Sequence, residues 1–216
     1  MQLTTLPPSW LLADLGQPRR VLSFAPYRPG FVTASTILWR QVRDADLTPD
    51  LNVDDWLAAE IRAIGQPDCV AMLTSRQLDR VMTTAAGPVS CAATVGLGNA
   101  ERVGARRVPS AGRAGYGTIN IAVLIESGLT DAAMIEAMTI IAQARTAAII
   151  QAGIQVPAGP ATGTGTDCIV LAADLGEARF AGLHTPLGEQ LGRAVFQAVL
   201  AGAQVWQREQ RAGSIS

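Results

Sequence analysis

The chain has 216 residues and a mass of 22.6 kDa, long enough for one domain with a substantial core, and no compositional break divides it. Charged residues are 16% against 49% hydrophobic and the net charge is -1, so no field gathers polyanions and nucleic acid is disfavoured as a partner. The start, Met1-Gln2-Leu3-Thr4-Thr5-Leu6-Pro7-Pro8, has no cationic segment before an apolar run, and no stretch approaches the roughly 18 uncharged apolar residues of a spanning helix; a soluble, cytoplasmic protein that does not engage a membrane is expected.

Apolar and β-branched runs at 21–25, 31–38, 69–73, 89–95, 118–125 and 167–173 read as strands. Asp54 has the position of a cap for a short helix carrying Leu57, Ile61 and Ile64 on one face, and Thr74 with Gln77 has capping-box spacing ahead of Leu78, Val81 and Met82. Between the strands at 89–95 and 118–125 lies a 22-residue stretch with six glycines and Arg102, Arg106, Arg107 and Arg113. Loops of that length are functional or disordered, and this one reads either as a solvated surface or as a basic lid over a large substrate.

A long helix opens at Thr130-Asp131, a cap and a first-turn carboxylate, and stops at Gly153. The last helix opens at Thr185-Pro186 and carries Leu187, Leu191, Val195, Ala198 and Val205 at helical spacing. Gly188, Gly192 and Gly202 on that helix allow close helix contact within or between subunits, which leaves a homo-oligomer open. The element order suits one α+β domain over 1–216, a mixed β-sheet covered by helices, with a layered αββα sandwich as one form of it.

Cys69, Cys91 and Cys168 are odd in number, widely spaced and embedded in apolar runs, so they read as reduced core thiols. The single histidine, His184, cannot supply a multi-histidine metal set, which disfavours a zinc hydrolase. Its place before the last helix favours neutral imidazole, hence a base or a satisfied structural group. The motif Gly96-Leu97-Gly98-Asn99-Ala100-Glu101 carries Glu101 where a dinucleotide fingerprint needs its third glycine, and it has little weight as a phosphate site.

Two threonine-rich segments carry the chemistry. Strand alternation puts Thr118 and Asn120 on one face and Ile119, Ile121, Val123 and Ile125 on the other, so the polar pair is expected to look out of the core. A threonine hydroxyl attacks only with a nearby base; its own α-amine would serve, but only after cleavage at Gly117-Thr118. The plain alternative is that Thr118 holds substrate or simply suits a strand. Thr162-Gly163-Thr164-Gly165-Thr166-Asp167 alternates threonine and glycine before an apolar strand. Its N–H groups suit an oxyanion site, and its bland reading is a tight turn with Asp167 binding loop amides. Arg145 shares a helical face with Ile135, Met138, Ala142 and Ile149, so its cation must snorkel, pair or serve the site.

Five motifs in order, Gly98-Asn99 with Arg102 and Gly104, Gly117 to Ile121, Ala144 to Ala148, Ala161 to Asp167, and His184 to Gly188, resemble the adenosylcobinamide amidohydrolase family over nearly the whole chain. The resemblance implies hydrolysis of the amide joining aminopropanol to the corrin, giving adenosylcobyric acid for cobamide salvage. It implies a small-molecule corrinoid substrate and no cofactor of the protein's own, since the cobalt belongs to the substrate. Departures lie in the first third, at Phe24, Arg28, Pro29 and Trp39, where a different corrinoid preference would arise.

From Gly117 to Asp167 the chain is also similar to β-peptidyl aminopeptidases and ornithine acetyltransferases. That likeness implies Thr118 as a self-liberated nucleophile, Thr164 and Asp167 as assistants, and Asn99 or Asn120 as oxyanion donors. The reading is a metal-independent amidohydrolase with Thr118, Asn120, Thr164, Asp167 and His184 catalytic. Asn99, Arg102, Arg145, Thr162, Gly163, Gly165 and Thr166 are expected to bind substrate.

Overall fold

In the computed structural model, which describes residues 1–43, 46–48, 50–105 and 117–213, the chain opens with strand β1 (Gln2–Leu6) and turns back into β2 (Trp10–Ser23). β2 then pairs antiparallel with β3 (Gly30–Gln41). Sequence pattern alone places a strand only at 21–25, because Gly16, Gln17 and Pro18 interrupt the run. The ladder takes them out of register with a bulge between Asp14 and Arg19, where Gly16 has φ 78° and donates its N–H to Asp14 Oδ1 at 2.7 Å.

Helix α1 (Val53–Ala63) buries Leu57 and Ile61. Its cap is Asn52, whose side chain accepts from Asp55 N; Asp54, expected as the cap, sits inside the first turn, where its charge faces the helix dipole. β4 (Val70–Thr74) returns parallel to β3. The helix expected after Thr74 is a single 3-10 turn at Leu78–Arg80, followed by β5 (Met82–Ala86). Thr74 Oγ1 accepts from Arg76 N, and a tight turn at Gly87, φ 56°, folds β5 onto β6 (Val89–Val95), so tertiary pairing overrides the capping-box spacing.

After the short strand β7 (Ala100–Glu101) come β8 (Ile119–Leu129) and helix α2 (Asp131–Ala152). Thr130 accepts from Ala133 N as the N-cap, and Gly153 closes the C-terminus in the left-handed region at φ 75°, both as the sequence predicts. β9 (Gln155–Val156) and β10 (Gly159–Pro160) form a small hairpin, and β11 (Gly163–Thr164) pairs with β7. β12 (Cys168–Leu175) runs parallel to β8, and α3 (Pro186–Gly213) ends the fold. Arg106, Arg107 and Arg113 lie outside the described residues.

Eight strands make one mixed sheet, in the order β4-β3-β2-β12-β8-β6-β5 with β1 added to β2, and the fold is α+β. One end of this order meets the strand next to the other: the hydroxyls of Thr74 in β4 and Thr94 in β6 lie 3.5 Å apart. The sheet therefore curls over on itself. Leu11, Val21, Ile37, Trp39, Val70 and Met72 from one half pack against Ala92, Ala122, Leu124, Val170 and Ala172 from the other.

On the outside of one half, α1 packs Leu57 and Ile61 against Trp10, Leu38 and Ala71. On the outside of the other, α2 and α3 cover Ile119, Ile121, Val123 and Ile125. The result is helix, sheet, sheet, helix from one continuous sheet. By length and composition α2 would pass for a membrane-crossing helix, yet its Met134, Ile141 and Ala148 are wholly buried against the sheet. Gly188 and Gly202 on α3 serve contacts within the chain: a Cβ there would lie 2.6 Å from Ala181 O and from Val95 Cγ2 respectively.

Leu124 is 1% exposed in the layer between the sheet halves. Leu124→Ala is expected to lower stability by ~2–5 kcal/mol in urea unfolding, the cost of a cavity that flanking strands cannot fill. A change below 0.5 kcal/mol, on the order of an ordinary surface substitution, would contradict the inter-sheet packing.

Candidate active site

The parallel pairing of β8 and β12 aligns Asn120 with Cys168, so the residues just ahead of each strand, Thr118 and Asp167, arrive at the same end of the sheet. The two segments that the sequence singles out, nearly 50 residues apart, converge there. Thr118 Oγ1 lies 2.7 Å from Thr166 O, and Ile119 N donates to Asp167 Oδ1 at 3.2 Å.

Asp167 is the hub. Its oxygens also accept from Thr164 N, 3.1 Å from each, and from Thr164 Oγ1, and Arg145 Nη1 pairs with Oδ2. The carboxylate is 8% exposed and the guanidinium side chain 19%, so this is a largely desolvated pair with charge-assisted bonds. Gly163 is required beside it, because a Cβ would run into Asp167 Oδ2 and lie 3.1 Å from Arg145 Nη1. Of the readings open for Arg145, the structure takes pairing. Ile135, grouped with it on the expected buried face, is 54% exposed, and the buried stripe runs instead through Ala133, Ala137, Ile140, Ala144 and Ala148.

Alternation along β8 is as the sequence predicts, but the polar face does not look out of the core. It looks into the second core between the sheet halves. Asn120 is 0% exposed and Thr118 6%. Asn120 Nδ2 donates to Leu73 O at 2.6 Å, and its Oδ1 lies 3.0 Å from Thr118 Oγ1. Thr94, opposite Asn120 in the ladder, and Thr74 extend this into a polar seam closing the mouth of the inter-sheet layer. The main-chain approach is tight as well: a Cβ on Gly117 would come within 2.7 Å of Gly96 O and Gly98 N.

The ribbon of β7 and β11 flanks the turn, with Gly163 opposite Glu101 and Thr164 opposite Ala100. Asn99 Nδ2 reaches Thr166 Oγ1 at 3.4 Å, Gly165 N donates to Asn99 O at 3.3 Å, and Thr162 Oγ1 accepts from Val103 N at 2.8 Å. Asn99 Oδ1 is buried with no hydrogen-bond partner among the described residues. Gly165 and Thr166 form the exposed tip. Behind the ribbon opens a cavity of about 1010 Å³, whose wall includes Gly98, Glu101, Arg102, Ile154, Val156 and Trp206.

Thr118, Asn120, Thr164, Asp167, Arg145, Asn99, Thr162, Gly163, Gly165 and Thr166 thus share one locality, and Arg102 lies on the cavity side of the ribbon. His184 does not join them. It is exposed in the segment after β12, where Ala178 O accepts from Thr130 N and Ala181 N donates to Glu136 Oε2 at 2.7 Å. Those contacts belong to the far end of the strands, and an eight-residue β12 at ~3.3 Å per residue separates the two ends by roughly 25 Å.

Sequence reasoning missed Thr74, Thr94 and the Leu73 carbonyl, which are brought in by the curl of the sheet; only Thr94's place in the alternation of β6 hinted at them. Of the positions that depart in the first third, Trp39 is buried in the inter-sheet layer, and the Arg28 guanidinium binds main-chain oxygens of Thr33 and Cys69.

The family model for adenosylcobinamide amidohydrolase matches residues 3–211. The chain belongs to that family. It is similar to the adenosylcobinamide amidohydrolase of Halobacterium salinarum, 30% identical over 166 residues, which is 72% of this chain and 68% of that protein. It is also similar to an uncharacterized protein of Methanocaldococcus jannaschii, 39% identical over 88 residues, covering 39% of this chain and 34% of that one. Membership spans both threonine segments, so the convergence at Asp167 is a feature of the matched region.

Removing the Asp167 charge leaves Arg145 without a counter-ion, and Asp167→Asn is expected to lose ~1–3 kcal/mol in urea unfolding. An unchanged midpoint would show that the carboxylate does not hold the turn. Burial pushes the thiols of Cys69, Cys91 and Cys168 up to about 12. Native protein at pH 8 should therefore resist iodoacetamide over an hour and take up three labels only when unfolded, counted by mass. Fast native labelling at Cys168, beside Asn120, would instead mark it as a reactive group of the site.

Proposed function

We propose that this protein hydrolyses the aminopropanol amide of adenosylcobinamide or a related corrinoid, yielding adenosylcobyric acid for cobamide salvage. The observation that carries this reading is the junction of Thr118 with the Thr162-to-Asp167 turn in a protein of this family. Water adds its oxygen to the carbonyl carbon, the C–N bond breaks, and aminopropanol leaves with a proton while the acid stays on the corrin. At the exposed tip the Gly165 N–H is taken by Asn99 O, and the main-chain amide of Thr166 is the donor toward the developing oxyanion, with the Asn99 side chain beside it.

Thr118 is the attacking or orienting hydroxyl, held by Thr166 O and by Asn120 Oδ1. Asn120 and Asp167 act as positioning residues: one amide hydrogen of Asn120 is committed to Leu73 O, and Asp167 is occupied by Ile119, Thr164 and Arg145. No protein-bound metal takes part in this scheme. Supporting that is the donor chemistry at the site, hydroxyls, amides and one occupied carboxylate, with no cluster of three His, Cys, Asp or Glu among the described residues.

A second reading has its own support. Both acceptors near the Thr118 hydroxyl are neutral amide oxygens, so among the described residues no side-chain base is bonded to it, and the α-amine freed by cleavage at Gly117-Thr118 would supply one. Intact mass separates the two, since self-processing leaves a fragment beginning at Thr118.

Aminopropanol release from adenosylcobinamide, followed by mass spectrometry, tests the activity. Thr118→Ala and Thr164→Ala are expected to fall about 100- to 1,000-fold in turnover while keeping the far-UV spectrum of the parent. Chelator should leave turnover unchanged. Normal turnover in both variants would remove the threonine segments from the mechanism, and corrinoid binding with no release over hours would make the protein a binder instead.

A further inference from the structure

The cavity behind the ribbon has no part in the bond-breaking scheme above. Its volume of about 1010 Å³ stands at the top of the roughly 300–1,000 Å³ range of small-molecule sites, far more than an aminopropanol arm needs. Among the described residues three separate pieces of chain wall it: β7 with its flanks, the segment after α2, and the end of α3. They are tied together, since Arg102 Nη1 donates to Ala158 O at 2.9 Å and Gln207 Nε2 to Ala152 O at 3.0 Å. Arg76 and Arg80 clamp Glu209 of α3 at 2.5 and 2.7 Å, which holds the last wall in place. The described walls are therefore held to one another and to the body of the fold by the chain's own contacts.

The lining is mixed in a specific way. Trp206, Ile154 and Val156 supply apolar surface, while Gln155, Gln207 and Arg102 supply amide and guanidinium groups. A carboxamide both donates and accepts, so it pairs with another carboxamide as well as with main chain. A ligand with a broad apolar face and a rim of primary amides matches this lining, and a corrin macrocycle has that chemistry. Ala100 and Glu101 line the cavity and are also the ladder partners of Thr164 and Gly163, and Gly98 on the wall abuts Gly117. A body seated in the cavity thus lies one ribbon away from the reacting turn.

We propose that this cavity seats the corrin body of the substrate, with Trp206 against the macrocycle face and Gln155 and Arg102 toward its amide rim, so that the aminopropanol arm crosses the ribbon to the junction of Thr118 with Thr166. The assignment rests on the corrinoid reading above. It makes Trp206 and Gln155 specificity residues that set binding rather than turnover.

The test is equilibrium dialysis of adenosylcobinamide, read by its visible absorbance, alongside steady-state hydrolysis by the full-length protein and its variants, with thermal unfolding as the check on folding. Trp206→Leu is expected to raise Kd and KM about tenfold with kcat within about threefold, the size of one lost aromatic contact. Trp206→Phe, which keeps an aromatic face, should stay within about threefold of the parent. Gln155→Ala, at an exposed position that costs little in folding, should raise Kd about threefold, and it decides the matter if Trp206→Leu does not fold. Thr164→Ala should show the reverse pattern, low kcat with Kd retained. Parent-like Kd and KM in folded Trp206→Leu and Gln155→Ala overturn the cavity assignment while leaving the hydrolase intact. A wild-type protein that neither binds nor cleaves adenosylcobinamide overturns the corrinoid reading and the cavity assignment with it.

Discussion

The site is organised around one carboxylate. Asp167 accepts from the main chain at the start of β8, from the main chain and hydroxyl of Thr164, and from the guanidinium of α2. Three segments that are remote in sequence, the turn itself, β8 and α2, are thereby fixed relative to one another at the end of the sheet. A carboxylate in this role is stable because its charge is paired and each oxygen has donors, which offsets the desolvation that burial imposes. In three dimensions this acid is the piece that holds the turn against β8 and α2.

The curl of the sheet supplies the second constraint. Because the β4 and β6 ends meet, the face of β8 opposite the helices is buried, and Asn120 satisfies its amide against a main-chain oxygen of a strand at the other end of the sheet order. Polar residues are placed where an apolar layer runs out. Their hydrogen bonds close the seam and hold the Thr118 hydroxyl between Thr166 O and Asn120 Oδ1.

Under the reading proposed above, reaction and recognition are divided between the two sides of a short ribbon. The turn offers hydroxyls and main-chain amides at an exposed tip, and the cavity offers volume, an indole and amide groups. A large substrate with one small reacting arm calls for such a division, because binding energy gathered on the unreactive body positions the bond that breaks.

The α+β class, helix α2 with its threonine cap and glycine stop, the opening of α3 and the alternation of β8 were legible in the chain. Each of these follows from local rules: side-chain period, cap chemistry and glycine conformation act over a few residues. The rest was settled in three dimensions. The bulge that makes β2 one long strand, the strand that replaces the helix after Thr74, the burial of Asn120 and the pairing of Arg145 with Asp167 all depend on which segments become neighbours. His184 shows the same limit, since its place before a helix was legible and the distance from that helix's start to the reacting turn was not. Sheet order and curl bring the remote groups together, and long-range pairing leaves no local signature in the chain.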